Sequence, residues 1–202
     1  MKNRLYITAI WIFLILAWAG WDTPVSGQEV NFNTYAGEGI TLTVTNQELS
    51  FGENGMVVSG EGSVEIPISS GKKTTIAIEG VKFLDVYVEI TGPQEIYKNG
   101  NTGSTQSIPF DLKAAYSNLG QDNYAQSRSI PVATDNSATQ RFRIQGRGKG
   151  PPGPPPVPDH AGYTPPKAEA YLYLYGSINV GNVDAGPYSG TINVTVSYAQ
   201  NQ

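Results

Sequence analysis

Apolar and polar positions alternate along most of this chain. The C-terminal stretch shows it best. After a turn expected at Gly186-Pro187, Ile192, Val194, Val196 and Tyr198 fall on one face, and Thr191, Asn193, Thr195 and Ser197 on the other. Successive side chains of a strand point to opposite faces, so this predicts a half-buried strand over 188–199. The same rhythm recurs at Ile40, Leu42 and Val44, followed by Leu49 and Phe51. It continues at Val64, Ile66 and Ile68, where Pro67 marks an edge or bulge, and at Ile76 and Ile78. Leu84, Val86, Val88 and Ile90 are expected to face inward while Asp85, Tyr87 and Glu89 face out. Ile108, Phe110 and Leu112 alternate, as do Phe142 and Ile144, and a long strand is predicted over 168–180. Short alternating segments split by Gly, Asn, Asp, Ser and Pro are the mark of an all-β sandwich or barrel.

Two stretches break the rhythm. Residues 113–137 are polar and poor in aliphatics and read as a long loop, with a helical turn near 112–119. Residues 146–166 hold eight of the fourteen prolines. Such a segment favours polyproline II and cannot join a ladder, so it reads as a semi-rigid loop inserted between two strands.

The N-terminus reads as a targeting segment. Lys2 and Arg4 precede an apolar run from Leu5 to Ala19, and small residues follow. This is the pattern of a signal peptide over 1–27, shorter than the ~20 apolar residues that a spanning helix needs. Residues 28–202 are then expected to form one domain, long enough to bury a core without disulfides; the chain has no cysteine. Export to the cell surface or medium by way of the periplasm follows as an expectation, with no membrane contact after cleavage. Without residues 1–27 the chain keeps 11 basic and 16 acidic side chains. That balance speaks against nucleic acid as a partner.

Catalytic chemistry finds little footing. His160 is the sole histidine and lies in the Pro-rich segment. No catalytic, metal or cofactor residues are assigned, and no enzymatic activity is expected. Glu61, Glu65, Asp85 and Glu89 sit at strand spacing and read as solvent-facing decoration. Gly146-Arg147-Gly148-Lys149-Gly150 superficially resembles a phosphate loop, but prolines follow where that chemistry needs a helix N-terminus. With Arg141 and Arg143 it makes a small basic patch. Tyr171, Tyr173 and Tyr175 alternate with Leu172 and Leu174. They read either as ordinary sheet packing or as a stacking platform for polysaccharide.

The ending from Tyr171-Leu-Tyr-Leu-Tyr-Gly176 through Gly186-Pro-Tyr188-Ser-Gly190 to Val194-Thr-Val196-Ser-Tyr198 resembles that of the spore coat U-like family. It is similar to related bacterial secreted domains of unknown function. Leu49-Ser50-Phe51-Gly52 resembles their opening. The resemblance implies an immunoglobulin-like antiparallel sandwich akin to archaic chaperone–usher pilins, in which one strand is missing. A periplasmic chaperone fills that gap first, and the N-terminal extension of the next subunit fills it later. Carried onto this chain, the acceptor edge would be Ile192, Val194, Val196 and Tyr198. The donor would be the tail Gln28 to Glu38, with Val30 and Phe32 as plugs. The function implied is that of a non-enzymatic subunit of a surface fibre, pilus or matrix. It would form a homopolymer or join other surface subunits. A monomeric carbohydrate-binding or adhesion module using the tyrosine ladder is the alternative.

Overall fold

The computed structural model describes residues 39–51, 56–57, 60, 62–146 and 165–199. The segment expected to be a signal peptide, the tail expected to act as donor with Val30 and Phe32, most of the Pro-rich insertion and His160 lie outside the described residues. What is described is an antiparallel β-sandwich with no α-helix. Its strands are β1 (Thr41–Thr45), β2 (Met56–Val57), β3 (Gly62–Ile66), β4 (Thr74–Val81), β5 (Asp85–Thr91), β6 (Glu95–Lys98), β7 (Ser107–Ser117), β8 (Arg128–Ile130), β9 (Ser137–Arg143), β10 (Lys167–Val180), β11 (Gly186–Ser189) and β12 (Asn193–Tyr198).

The larger sheet runs β1-β4-β10-β7-β6-β11-β2, with β3 added beside β10 and β8 beside β7; the smaller runs β12-β5-β9. β10 organises the larger sheet. Its first half pairs with β4, its second half with β3, and its other edge with β7. Alternation sorts the side chains as the sequence predicts. Val86, Val88 and Ile90 are buried between exposed Tyr87 and Glu89. Ile78 and Leu172 of the larger sheet and Val86 and Val88 of the smaller are fully buried. Tyr116 and Phe142 stack across the two sheets with ring centroids 4.3 Å apart. Pro67 falls just after β3, where a missing N–H costs no ladder bond.

The structure corrects three boundaries. Residues 113–137 are not one long loop: β7 extends to Ser117, a single 3₁₀ turn spans Tyr124–Gln126, and β8 follows. The last strand is split. Gly186 and Pro187 are not a turn but belong to β11, which pairs with β2 and β6 in the larger sheet. After residues 190–192 the chain has crossed to the smaller sheet, where β12 pairs with β5. Alternation alone cannot report such a sheet change, because the face that points inward stays apolar on both sides of the crossing.

Two close approaches explain particular residues. A Cβ on Gly176 would lie 2.2 Å from the Asp111 carbonyl oxygen on β7. Gly176→Ala is therefore expected to cost roughly 2 kcal/mol by forcing β10 and β7 apart, measured as a lowered urea midpoint. An unchanged midpoint would show that the pair has slack. Asn136 is buried in the left-handed region with φ 58°, a conformation asparagine adopts more readily than most residues. Its side chain accepts from Leu112 N–H at 3.1 Å and donates to Pro93 and Phe110 carbonyls at 2.6 and 2.8 Å. One amide thus ties β7 to the connections flanking β5 and β9.

Candidate functional site: a groove between two sheet edges

An immunoglobulin-type sandwich orders one sheet A-B-E-D and the other C-F-G. Here β1, β4, β10 and β7 follow one another in A-B-E-D order, and β5 and β12 lie side by side as C and F. Among the described residues, no strand occupies the place of G beside β12. Among the described residues β1 pairs with β4 alone and β12 with β5 alone, so each leaves one edge there without a ladder.

Between those two edges lies a groove of about 740 Å³. Leu42 and Val44 of β1 form one wall, and Ile192 and Val194 the other. Ile76, Leu174, Phe110 and Ile96 from the larger sheet lie beneath, with Leu49 and Phe51 at one end. Phe51 meets Phe110 edge to face at 5.9 Å. Asn46, at φ 55°, makes the turn that sends the chain from β1 to Phe51; its amide donates to the Gly71 carbonyl at 2.6 Å. Leu42 and Val44 alternate with threonines as a core-facing strand should, yet each is 40% exposed. Apolar residues at the inward positions of a strand, left this open, are explained if another strand covers them.

The two walls run in opposite directions. Thr41 pairs with Glu79 and Thr45 with Thr75, so β1 runs away from the Val81 end of β4. β12 begins near the Thr74 end, where Ile192 and Thr74 share the groove, and finishes with Tyr198 at Val81. There the Val81 N–H donates to the Tyr198 hydroxyl at 2.9 Å. A Cβ on Gly80 would stand 2.8 Å from that hydroxyl, so glycine leaves room for it. A strand inserted in the groove is necessarily antiparallel to one wall and parallel to the other.

Of the four acceptor residues expected from the sequence, Ile192 and Val194 line the groove. Val196 and Tyr198 lie further along the same half-buried face, beyond the residues that line it. The sequence pattern does not mark out the opposite wall or the floor. Their signal was present in the alternation of Ile40, Leu42 and Val44, which looks the same whether a strand is covered by its own fold or by a partner's.

The tyrosine ladder is not an open platform. Tyr173 is fully buried and donates to Asp122 at 2.8 Å, while Tyr171 and Tyr175 are half-buried. Lys73 Nζ lies 4.8 Å from the Tyr124 ring and 5.9 Å from that of Tyr173. The segment leading to the 3₁₀ turn thus covers the middle ring that a stacked sugar would need. Burial, then the bond to Asp122, pushes the Tyr173 phenol well above its usual range. Its hydrogen bond to Glu169 pushes Tyr171 up to about 12. A phenol harder to ionise folded than unfolded contributes its full stability below about pH 10 and loses it as pH climbs toward the folded value. Tyr173→Phe is expected to cost about 1 kcal/mol at pH 8. Its further loss between pH 8 and pH 11 should be smaller than that of the unaltered chain, read from urea midpoints. An equal loss at both would assign the alkaline sensitivity elsewhere.

The basic patch is also occupied. Arg141 and Arg143 both grip Asp85, at 2.9 and 3.1 Å. Glu65 bonds Lys113 at 3.1 Å. Residues 147–150, Glu61 and His160 lie outside the described residues.

No family model and no curated protein matches the chain. Among solved structures, one match is a chain of the chaperone–tip adhesin complex reported as vital for synergistic activation of CFA/I fimbriae biogenesis. The alignment covers 78% of this chain and 42% of that one, with 10% identity and a TM-score of 0.35. This chain thus spans less than half the length of the chain it matches.

Proposed function

We propose that this chain is a non-enzymatic, exported structural subunit that assembles into a surface fibre or matrix by accepting a β-strand into the groove between β1 and β12. One observation carries the reading. Two sheet edges that are unpaired among the described residues flank a mainly apolar cleft, at the place where an immunoglobulin-type sandwich would hold its last strand. An added strand would offer main-chain hydrogen bonds to an edge, and every second side chain would point into the cleft. The gain scales with the apolar area covered, at about 25 cal/mol per Å². The donor assigned to it is the tail 28–38 with Val30 and Phe32 as plugs, supplied by another copy of the chain or by a related surface subunit. A periplasmic chaperone is the natural temporary occupant of such a groove during export.

The test uses the sheared surface fraction of cells expressing the full-length gene, run on SDS gels with and without boiling. Strand-linked subunits are expected as a ladder that collapses on boiling to one band of about 18 kDa, the size residues 28–202 imply from a 21.7 kDa chain. A lone monomer band in both lanes would contradict assembly by strand addition.

A further inference from the structure

Along β10, Leu174, Gly176, Ile178 and Val180 are buried, so Tyr175, Ser177 and Asn179 take the outer face of the larger sheet. The register sets their neighbours. Ser177 lies between Glu65 of β3 and Asp111 of β7, Asn179 is opposite Ser63, and Tyr175 is opposite Lys113. Small side chains on the middle strand, between longer ones on its flanks, leave a trough. It is a recess of about 230 Å³ whose lining includes Ser63, Pro109, Asp111, Ser177 and Asn179. Near its Tyr175 end, Lys113 of β7 reaches Glu65 of β3 at 3.1 Å and so bridges across β10.

Two features of this hollow point to a ligand. The first is unspent hydrogen-bonding capacity. Among the described residues, the side chains of Ser63, Asp111, Ser177 and Asn179 make no hydrogen bond to one another or to anything else. Two hydroxyls, an amide and a carboxylate offer donors and acceptors around one small space. The second is the ring beside it. Tyr175 stands on the same face two residues from Ser177, about 7 Å along the strand. Tyr171 is bonded to Glu169 and Tyr173 to Asp122, so Tyr175 is the member of the ladder whose hydroxyl is not tied to a carboxylate.

We propose that this recess holds one sugar ring of a neutral polysaccharide, with the Tyr175 ring against its apolar face and Asp111, Ser63, Ser177 and Asn179 bonding its hydroxyls. Chemistry selects this class. Asp111 and Glu65 against Lys113 leave one net negative charge around the hollow, which disfavours uronates and sulfated sugars. No three His, Cys, Asp or Glu side chains that could hold a metal ion come together among the described residues. A protein partner would fill a pocket with an aromatic or apolar anchor, leaving these polar groups unpaired. An uncharged ring rich in hydroxyls, with one apolar face, satisfies all of them. The hollow is also smaller than the ~300–1,000 Å³ that encloses a drug-sized ligand, so it takes one ring of a chain that otherwise runs along the open face. The site lies on the outer face of the larger sheet, whereas the groove opens between the two sheets, so it stands independently of assembly.

The test passes the purified, exported full-length chain over cellulose, amylose, xylan, mannan and chitin, with alginate as the acidic comparison. Retention is expected on at least one of the neutral polymers. No retention on any of them, or retention on alginate alone, overturns the site. On the polymer that retains the chain, Asp111→Asn exchanges charged for neutral hydrogen bonds and should weaken binding ~5-fold or more. Ser177→Val suits a strand but fills the floor, so it should fold with an unchanged Tm and lose retention. Tyr175→Ala should lose it as well, while Tyr175→Phe, which keeps the ring, should not. Full retention in both Asp111→Asn and Ser177→Val overturns the proposal. So does a loss caused instead by Tyr87→Ala, which removes an exposed ring from the outer face of the smaller sheet. Ladders on unboiled gels, read for the same variants, report assembly separately and should not change.

Discussion

Val194→Asp is expected to abolish assembly of the chain while leaving the sandwich folded. Val194 is half-buried on β12 and forms part of the groove wall, where an aspartate carboxylate can still reach water as long as the groove is open. Once a strand fills the groove, that carboxylate is sealed among Leu42, Val44 and Ile76 without a partner. Leaving a charge buried and uncompensated costs about 3–5 kcal/mol, which weakens strand binding at least ~100-fold. The neighbouring Thr195→Asp is the control. Thr195 lies on the same strand but is exposed on the outer face, so its substitution changes charge equally without entering the cleft. Surface fractions from the two variants, compared on unboiled gels, should show polymer for Thr195→Asp and none for Val194→Asp. Equal ladders from both would mean that the groove plays no part in assembly.

Asn136→Ala is expected to produce the largest loss of stability of any single substitution considered. The residue is buried, and its side chain serves three backbone groups at once: Leu112 N–H and the carbonyls of Pro93 and Phe110. Alanine would leave all three buried or half-buried without their partner, at about 1–3 kcal/mol for each group so orphaned. Its left-handed backbone also suits alanine less well than asparagine. A loss of roughly 4 kcal/mol follows, read from urea or thermal unfolding. Asn136→Asp is a sharper comparison, since it keeps the acceptor for Leu112 but sets a carboxylate against two carbonyl oxygens. It should be about as damaging as alanine. Near-wild-type stability in the aspartate variant would show that the amide's donors are not what holds these connections. The effect would reach the groove, because Pro93 and Phe110 both line it.

Most of the fold was legible because alternation is a direct print of strand geometry. β5 is legible residue by residue, and the alternation of β12 marks its inward face without reference to its neighbours. Less legible was everything that depends on which strand lies beside which. The break between β11 and β12 keeps the alternating signal while changing sheets. β7 runs on through residues 113–117 despite its polar flank, because it pairs there with β10 and β8; Ala114 and Tyr116 join the core, while Ala115 and Ser117 are buried on the opposite face. One wall of the candidate site, Ile192 and Val194, followed from the pattern and from the resemblance to strand-deficient pilins. The other, Leu42 and Val44, has the same pattern as any core strand. Only their exposure in three dimensions sets them apart from it. The tyrosine ladder illustrates the converse: a regular outward-facing row whose middle member is covered by a segment distant in sequence.

The central claim is that a β-strand occupies the space between β1 and β12. Amide hydrogen exchange of the purified, exported protein tests it most directly. Some backbone amides of Thr41–Thr45 and Asn193–Tyr198 point away from β4 and β5 and have no ladder partner among the described residues. If a strand lies between them, whether the chain's own or a neighbour's, those facing it exchange slowly, at rates near those of β10 in the sheet interior. If they exchange as fast as the exposed turns around Asn101 and Asp135, the groove stands empty and assembly by strand addition is contradicted.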